Sequence, residues 1–293
     1  MVAFNASKLK LPFMKYRLCA IVISLILVVS SLGLVFTKGL NLSVDFTGGL
    51  VLQIEFSSPV EVAQIRESLS SIGQGQAIIQ AYDKNEVLIR FQAQDESVRR
   101  EVLATLKKDF GGLKILKIDK VGPVVGHELR TQAFVALGLA LMGILSYMAF
   151  RFKFRFGIAA VIALMHDTII MLGVYSLTGK EVSVPFIAAI LTVVGYSLND
   201  TIVVLDRVRE NWTNIRTQGV AELVDLSINQ TLARTINTSL TTLLPVLAMV
   251  IFGGEVISNF AFAFLIGIVV GTYSSIYIAS TIVTEWYLRY PKF

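Results

Sequence analysis

The chain has 293 residues, 54% of them hydrophobic and only 16% charged, with a formal net charge of +5 and a mean hydropathy of +0.69. This composition excludes an ordinary water-soluble enzyme over most of the length and points to lipid-embedded helices. The basic excess does not indicate nucleic acid, because the lysines and arginines sit beside the apolar runs, where membrane orientation accounts for them.

Lys8, Lys10, Lys15 and Arg17 lead into an apolar run at 18–36 with no acid among them. A helix crosses a hydrocarbon core with roughly 20 residues, so the run predicts a first span. It is longer than a signal-peptide core and lacks a small-residue cleavage pattern, which predicts an uncleaved anchor. Cys19, the only cysteine, lies within it, so an intramolecular disulfide is excluded. With two isolated histidines, no metal or other cofactor is expected.

Residues 37–130 form the one long polar segment, and their patterns alternate between strand and helix periods. Leu52, Ile54 and Phe56 share a strand face opposed by Val51, Gln53 and Glu55. Ser58, Pro59 and Glu61 predict a capping box with proline at the first helical position, followed by Val62, Ile65, Leu69 and Ile72 at helical spacing. Stretches 76–82 and 86–92, on either side of Asp83, Lys84 and Asn85, predict a hairpin with Val87, Ile89 and Phe91 on one face. A second helix is expected to start near Asp95 and to bury Val98, Val102, Leu106 and Phe110. Gly111 and Gly112 then end it, and 114–121 supplies a last strand. The predicted order is βαββαβ, a ferredoxin-like unit. No nucleophile with a nearby base occurs there, so the unit is expected to bind, to transmit force or simply to cap the membrane part rather than to catalyse.

Further apolar runs follow at 133–150, 156–177, 185–205, 235–252 and 258–285. The fourth of these is the least apolar, because Asn237, Thr238, Ser239, Thr241 and Thr242 crowd its first half. Arg151, Lys153 and Arg155 fill one link, and Arg289 and Lys292 close the chain. The opposite links hold only Lys180 with Glu181, and Glu255. Six transmembrane helices with residues 1–17 and 286–293 in the cytoplasm satisfy all these charges together.

An ionisable side chain inside a span costs about 2.5 to 3.5 kcal/mol on insertion scales, so each needs a partner, water or a task. Asp200 lies about 9 Å of helical rise before Asp206, inside the membrane near its basic edge. Thr192, Tyr196, Asn199 and Asp200, with Thr201 alongside, predict a polar face turned into the bundle. The fifth span offers Thr231, Arg234, Thr238 and Thr241 at matching intervals, with Asn237 and Thr242 beside them. Arg234 is then the natural counter-ion of Asp200. A static structural pair is one reading. The other is a proton relay, in which separation of the pair loads a proton and reunion releases it. His166 and Asp167 in the third span either brace the bundle or extend that relay, and adjacent helical residues need not bind each other. Gly267 and Gly271 form a GxxxG pattern for close packing, supported by Ser274, Ser275 and Ser280.

Four motifs carry a resemblance that covers nearly the whole chain from Phe13 onward. They are VDFTGG (Val44–Gly49), VGPVVGHELR (Val121–Arg130), SLNDTIVVLDRVREN (Ser197–Asn211) and LARTINTSLTTLLP (Leu232–Pro245). Together they resemble the SecF branch of the SecD/SecF protein-export family, relatives of the RND exporters. Leu205 and Val208 depart conservatively from the phenylalanine and isoleucine common there. The resemblance implies a multi-pass protein of the bacterial inner membrane, with residues 37–130 in the periplasm. It also implies SecD as companion, the SecYEG channel, YajC and YidC as neighbours, a translocating preprotein as client, and the proton-motive force as energy source. By motif it implies a proton-relay role for Asp200 and Arg234. An RND-type exporter of small solutes would use similar charges, but such exporters have twelve spans and two large outer domains. A non-energised assembly scaffold is a third possibility.

Overall fold

The computed structural model describes residues 11–81, 84–91, 96–212 and 219–290. The expectations placed on Lys8, Lys10, Lys292, Tyr82, Asp83, Gln92 and Asp95 lie outside them. A 3-10 turn, Phe13–Tyr16, leads into α1 (Arg17–Thr37), followed by β1 (Asn41–Leu42), α2 (Val44–Thr47), β2 (Gly49–Phe56), α3 (Val62–Ser70), β3 (Ile78–Ala81) and β4 (Glu86–Phe91). Next come α4 (Glu96–Phe110), β5 (Leu113–Val121), α5 (Pro123–Arg151), α6 (Phe154–Thr178), β6 (Glu181–Val182) and α7 (Val184–Asn211). The chain continues through α8 (Val220–Phe252), α9 (Glu255–Ser274), a π-helical segment (Ser275–Ala279) and α10 (Ser280–Arg289). Two compact units result, one of residues up to Asn41 together with Ala136–Phe293, the other of Leu42–Val135.

In the second unit, β3-β4-β2-β5 form one sheet whose neighbours are all antiparallel. Alternation sends Leu52, Ile54, Phe56, Val87, Ile89 and Phe91 to one face, where Ile65 and Leu69 of α3 and Val102 and Leu106 of α4 complete the core. Val98 and Phe110 pack at its margin. Gly111, at φ 77°, ends α4 in a conformation that favours glycine. The start of α3 differs from the expectation. Glu61 is the N-cap and forms the capping box with Gln64, while Ser58 and Pro59 precede the helix. Glu61 can replace serine because its carboxylate reaches the same orphan amides. VDFTGG and VGPVVGHELR meet in this unit: a Cβ on Gly126 would stand 3.1 Å from the Gly48 nitrogen.

Among the described residues, six helices are long and apolar enough to cross a membrane, including the polar-fronted α8 and the composite α9–π–α10, and all but the start of α5 lie in the first unit. The expected glycine packing is found: Cβ atoms on Gly267 and Gly271 would meet Val193 at 2.2 Å and Ser197 at 2.9 Å, so α9 lies directly on α7. A Cβ on Gly173 of α6 would likewise strike Ser31 of α1 at 2.2 Å. The segment before α1 is tied to distant helices. Asn229 of α8 accepts from the Leu11 amide at 3.0 Å and donates to its carbonyl at 2.9 Å. Asp225 accepts from the Met14 amide at 2.8 Å, and Arg17 pairs with Glu285 at 2.8 Å.

Candidate functional site

Two carboxylates are buried among the spans, and their surroundings differ. Asp167 of α6 is 1% exposed and Asp200 of α7 is 3% exposed. Close packing at Gly267 and Gly271 draws α6, α7 and α9 together, which is what lets short hydroxyl side chains reach across. Ser197 donates to Asp167 Oδ2 at 2.6 Å, Ser274 donates to the same oxygen at 2.8 Å, and His166 Nδ1 lies 2.9 Å from Oδ1. Asp167 thus joins three helices through a fully occupied carboxylate. His166 and Asp167 do bind each other. The 100° step between adjacent helical residues does not prevent it, because an imidazole and a carboxylate are long enough to fold toward one another. Among the described residues, buried His166 Nε2 has no hydrogen-bond partner, and its ring lies 6.2 Å from that of Tyr273.

Asp200 is held more loosely. Its nearest hydrogen-bonding neighbour among the described residues is the Ser239 hydroxyl, 3.5 Å from Oδ2. That hydroxyl is also 2.7 Å from Thr272 Oγ1, which donates to the Ile268 carbonyl at 2.8 Å. Since Thr272 spends its proton there, Ser239 supplies the proton between the two hydroxyls, leaving little for Asp200. Thr201, fully buried, lies 2.8 Å from Ser275 Oγ, which donates to the Gly271 carbonyl at 2.8 Å. Both centres abut the π-helical turn Ser275–Ala279, an irregularity that frequently marks functional sites.

The polar faces predicted from spacing are only partly internal. Thr192 and Asn199 are exposed, whereas Tyr196 turns inward and donates to the Thr238 carbonyl at 2.9 Å. The reason is angular: Asn199 and Asp200 differ by about 100° around the axis, and the bundle takes the Asp200 side. On α8, Thr231 is buried and Thr238 and Thr242 are half-buried, but Arg234, Asn237 and Thr241 are exposed. Among the described residues, Arg234 forms no ion pair within 4.0 Å with Asp200, although it stands close enough for its charge to act there. The expected contact is therefore open in this structure. Spacing alone does not identify Ser197, Ser274 and Ser239 as the hydroxyls facing these carboxylates. Their signal was the recurrence of hydroxyls opposite glycines, legible only once the helices are paired.

Comparison with known proteins places the chain. Residues 101–289 match the family described as protein export membrane protein SecD/SecF, C-terminal, and residues 33–60 match the SecD/SecF GG motif. A protein translocase subunit SecF from Desulfurispirillum indicum is 45% identical over 291 residues, covering 96% of this chain and 93% of the relative. One from Pseudomonas aeruginosa is 41% identical, covering 92% and 89%. A protein translocase subunit SecDF from Thermus thermophilus is 45% identical over 90% of this chain but only 37% of its own length. The crystal structure of SecDF, a translocon-associated membrane protein from that genus and species, superposes with a TM-score of 0.90 at 43% identity, over 96% of this chain and 39% of the solved one. The chain thus spans little over a third of those SecDF proteins. With both signature regions matched and close relatives covered almost end to end, the chain belongs to the SecF family of multi-pass protein-export membrane proteins, with a role in Sec translocation.

Proposed function

We propose that this chain is the smaller half of a SecDF-type assembly that uses the proton-motive force to promote protein export, with Asp200 as the proton carrier and Arg234 as its movable counter-charge. The observation that carries this reading is the contrast between the two buried carboxylates. Asp167 makes three close contacts, whereas Asp200 has one at 3.5 Å and can exchange its proton without dismantling the bundle. The gap between Asp200 and Arg234 fits the loaded stage of the cycle, in which the guanidinium has moved away. A charge crossing the full membrane potential releases about 2.3 kcal/mol per 100 mV, enough to bias a conformational equilibrium more than tenfold.

A SecD companion would supply the remaining spans and cover the exposed polar stripe of Asn199, Arg234, Asn237 and Thr241, which lipid would not solvate. The assembly would lie in the bacterial inner membrane beside SecYEG, with YajC and YidC as further neighbours and the preprotein passing through the channel. Both termini would be cytoplasmic, consistent with Arg151, Lys153 and Arg155 on that side. The unit Leu42–Val135 would stand in the periplasm, and its βαββαβ order with sheet order β3-β4-β2-β5 supports a ferredoxin-like assignment.

Export in cells lacking this subunit tests the proposal, comparing wild type with Asp200→Asn at matched abundance and preserved companion binding. Asp200→Asn is expected to abolish the stimulation of export, and full rescue would falsify the proton-carrying role.

A further inference from the structure

Away from the buried carboxylates, the end of α5 and the first turns of α6 border a half-open groove of about 310 Å³. Leu145, Met148, Phe152, Phe154, Ile158 and Ile162 are among its lining residues, and every lining residue is apolar. Water would find no hydrogen-bonding wall there. The groove runs along helices of membrane-crossing length, so a hydrocarbon chain is the occupant that matches its walls.

The mouth is basic. The Arg151 and Arg209 guanidiniums lie 5.3 and 5.9 Å from the ring centroid of Phe152, which lines the groove. Phe154, also lining it, packs edge-on to Trp286 at 6.4 Å, over which Arg155 lies at 5.9 Å. Asp206 pairs with both Arg151 and Arg209. Arg155 donates to the Tyr290 carbonyl at 2.8 Å, and Lys153, at the N-cap of α6, is exposed. Among the described residues, Arg151 and Arg209 thus share the Asp206 carboxylate while Lys153 and Arg155 form no ion pair with it, leaving an excess of positive charge beside the rings that form the groove.

We propose that this groove holds one acyl chain of an anionic phospholipid, with its phosphate headgroup against Lys153, Arg155 and the Arg151–Arg209 pair. The apolar wall selects a lipid, and the cation excess selects a negative headgroup over a zwitterionic one. Neither Asp200 nor Arg234 takes part, so the site stands whether or not those residues carry protons.

The test is native mass spectrometry of the full chain, co-purified with its SecD-type companion. The complex is delipidated and then titrated with phosphatidylglycerol or phosphatidylethanolamine of identical acyl composition. Wild type is expected to retain one phosphatidylglycerol in preference to phosphatidylethanolamine. Lys153→Gln with Arg155→Gln should weaken that retention roughly thirtyfold, and Lys153→Gln alone about fivefold. Lys153→Arg should leave it unchanged. Ala149→Phe, which fills the groove without touching a charge, should also abolish retention at unchanged abundance and companion binding. Equal retention of the two lipids would overturn the proposal. So would retention that survives Ala149→Phe, because the headgroup would then bind the basic link alone. Absence of lipid together with a cross-link from residue 149 into the companion would overturn it in favour of a protein helix in the groove.

Discussion

Asp167 and Asp200 are both aspartates, both buried, and both within apolar helices, yet their hydrogen bonds differ. Asp167 satisfies Ser197, Ser274 and His166 together, so its removal strands the buried Ser197 hydroxyl and His166 Nδ1 and leaves Ser274 only the Gly271 carbonyl. Asp167→Leu is expected to destabilise the bundle by about 3 kcal/mol or more, read from thermal unfolding in detergent micelles. Asp167→Asn keeps an oxygen for both serines and an amide facing His166, so folding and export should survive it. Loss of export in a stably folded Asp167→Asn would move this residue from brace to relay. Asp200 gives the opposite expectation, because its asparagine form keeps the shape and loses the proton. Sequence located both aspartates and favoured Asp167 for the brace and, through the resemblance, Asp200 for the relay, but it could not show their hydrogen bonds. Those come from hydroxyls on three separate helices, and helix spacing says nothing about which serine of one helix faces which acid of another.

At the scale of elements, α9 is defined by what it lacks. Gly267 has Val193 where a side chain would begin, and Gly271 has Ser197. Gly267→Ala should destabilise the bundle by about 1 to 3 kcal/mol through overpacking. Val193→Ala in the same chain should return much of that loss, since two residues in contact do not act additively. Equal destabilisation with and without Val193→Ala would show that the α7–α9 contact is looser than described. The GxxxG pattern announced this contact in the sequence, as the alternating strand residues announced the sheet. The exact start of α3 was less legible. Ser58-Pro59 and Glu61-Gln64 both satisfy local capping chemistry, and the choice falls to Glu61 because Ile65 and Leu69 must meet the sheet. The π turn after Ser274 had no sequence signal at all, because it arises from fitting one extra residue into a helix packed on its neighbours.

For the molecule as a whole, the outer surfaces are uneven. Much of α1 and α5 exposes apolar side chains, as lipid contact allows, whereas α7 and α8 expose Asn199, Arg234, Asn237 and Thr241. If the SecD-type companion covers that stripe, Asn237→Cys should cross-link to it in membranes with a short bifunctional reagent, and a cysteine at Leu139 on the exposed apolar side should not. The reverse pattern would place the companion elsewhere. Six spans and their charge asymmetry were readable from composition. The exposure of Arg234 was not, because spacing defines a face without saying whether this chain or another covers it.

The tie between the leading segment and α8 also governs the order in which the molecule can assemble. Leu11 is separated from its partner Asn229 by 218 positions, and Arg17 from Glu285 by 268. Ribosomes add about 5 to 20 residues per second, so α1 must wait roughly 10 to 45 seconds in the bilayer before Asn229 exists to receive it. Through that interval its own apolar length keeps it inserted, and Ser31 meets Gly173 of α6 well before the latch can close. Biogenesis therefore ends at the rim of the bundle where the leading segment meets α8 and α10, and a nascent chain halted before α8 would hold every early span in place with its first turn still unfastened.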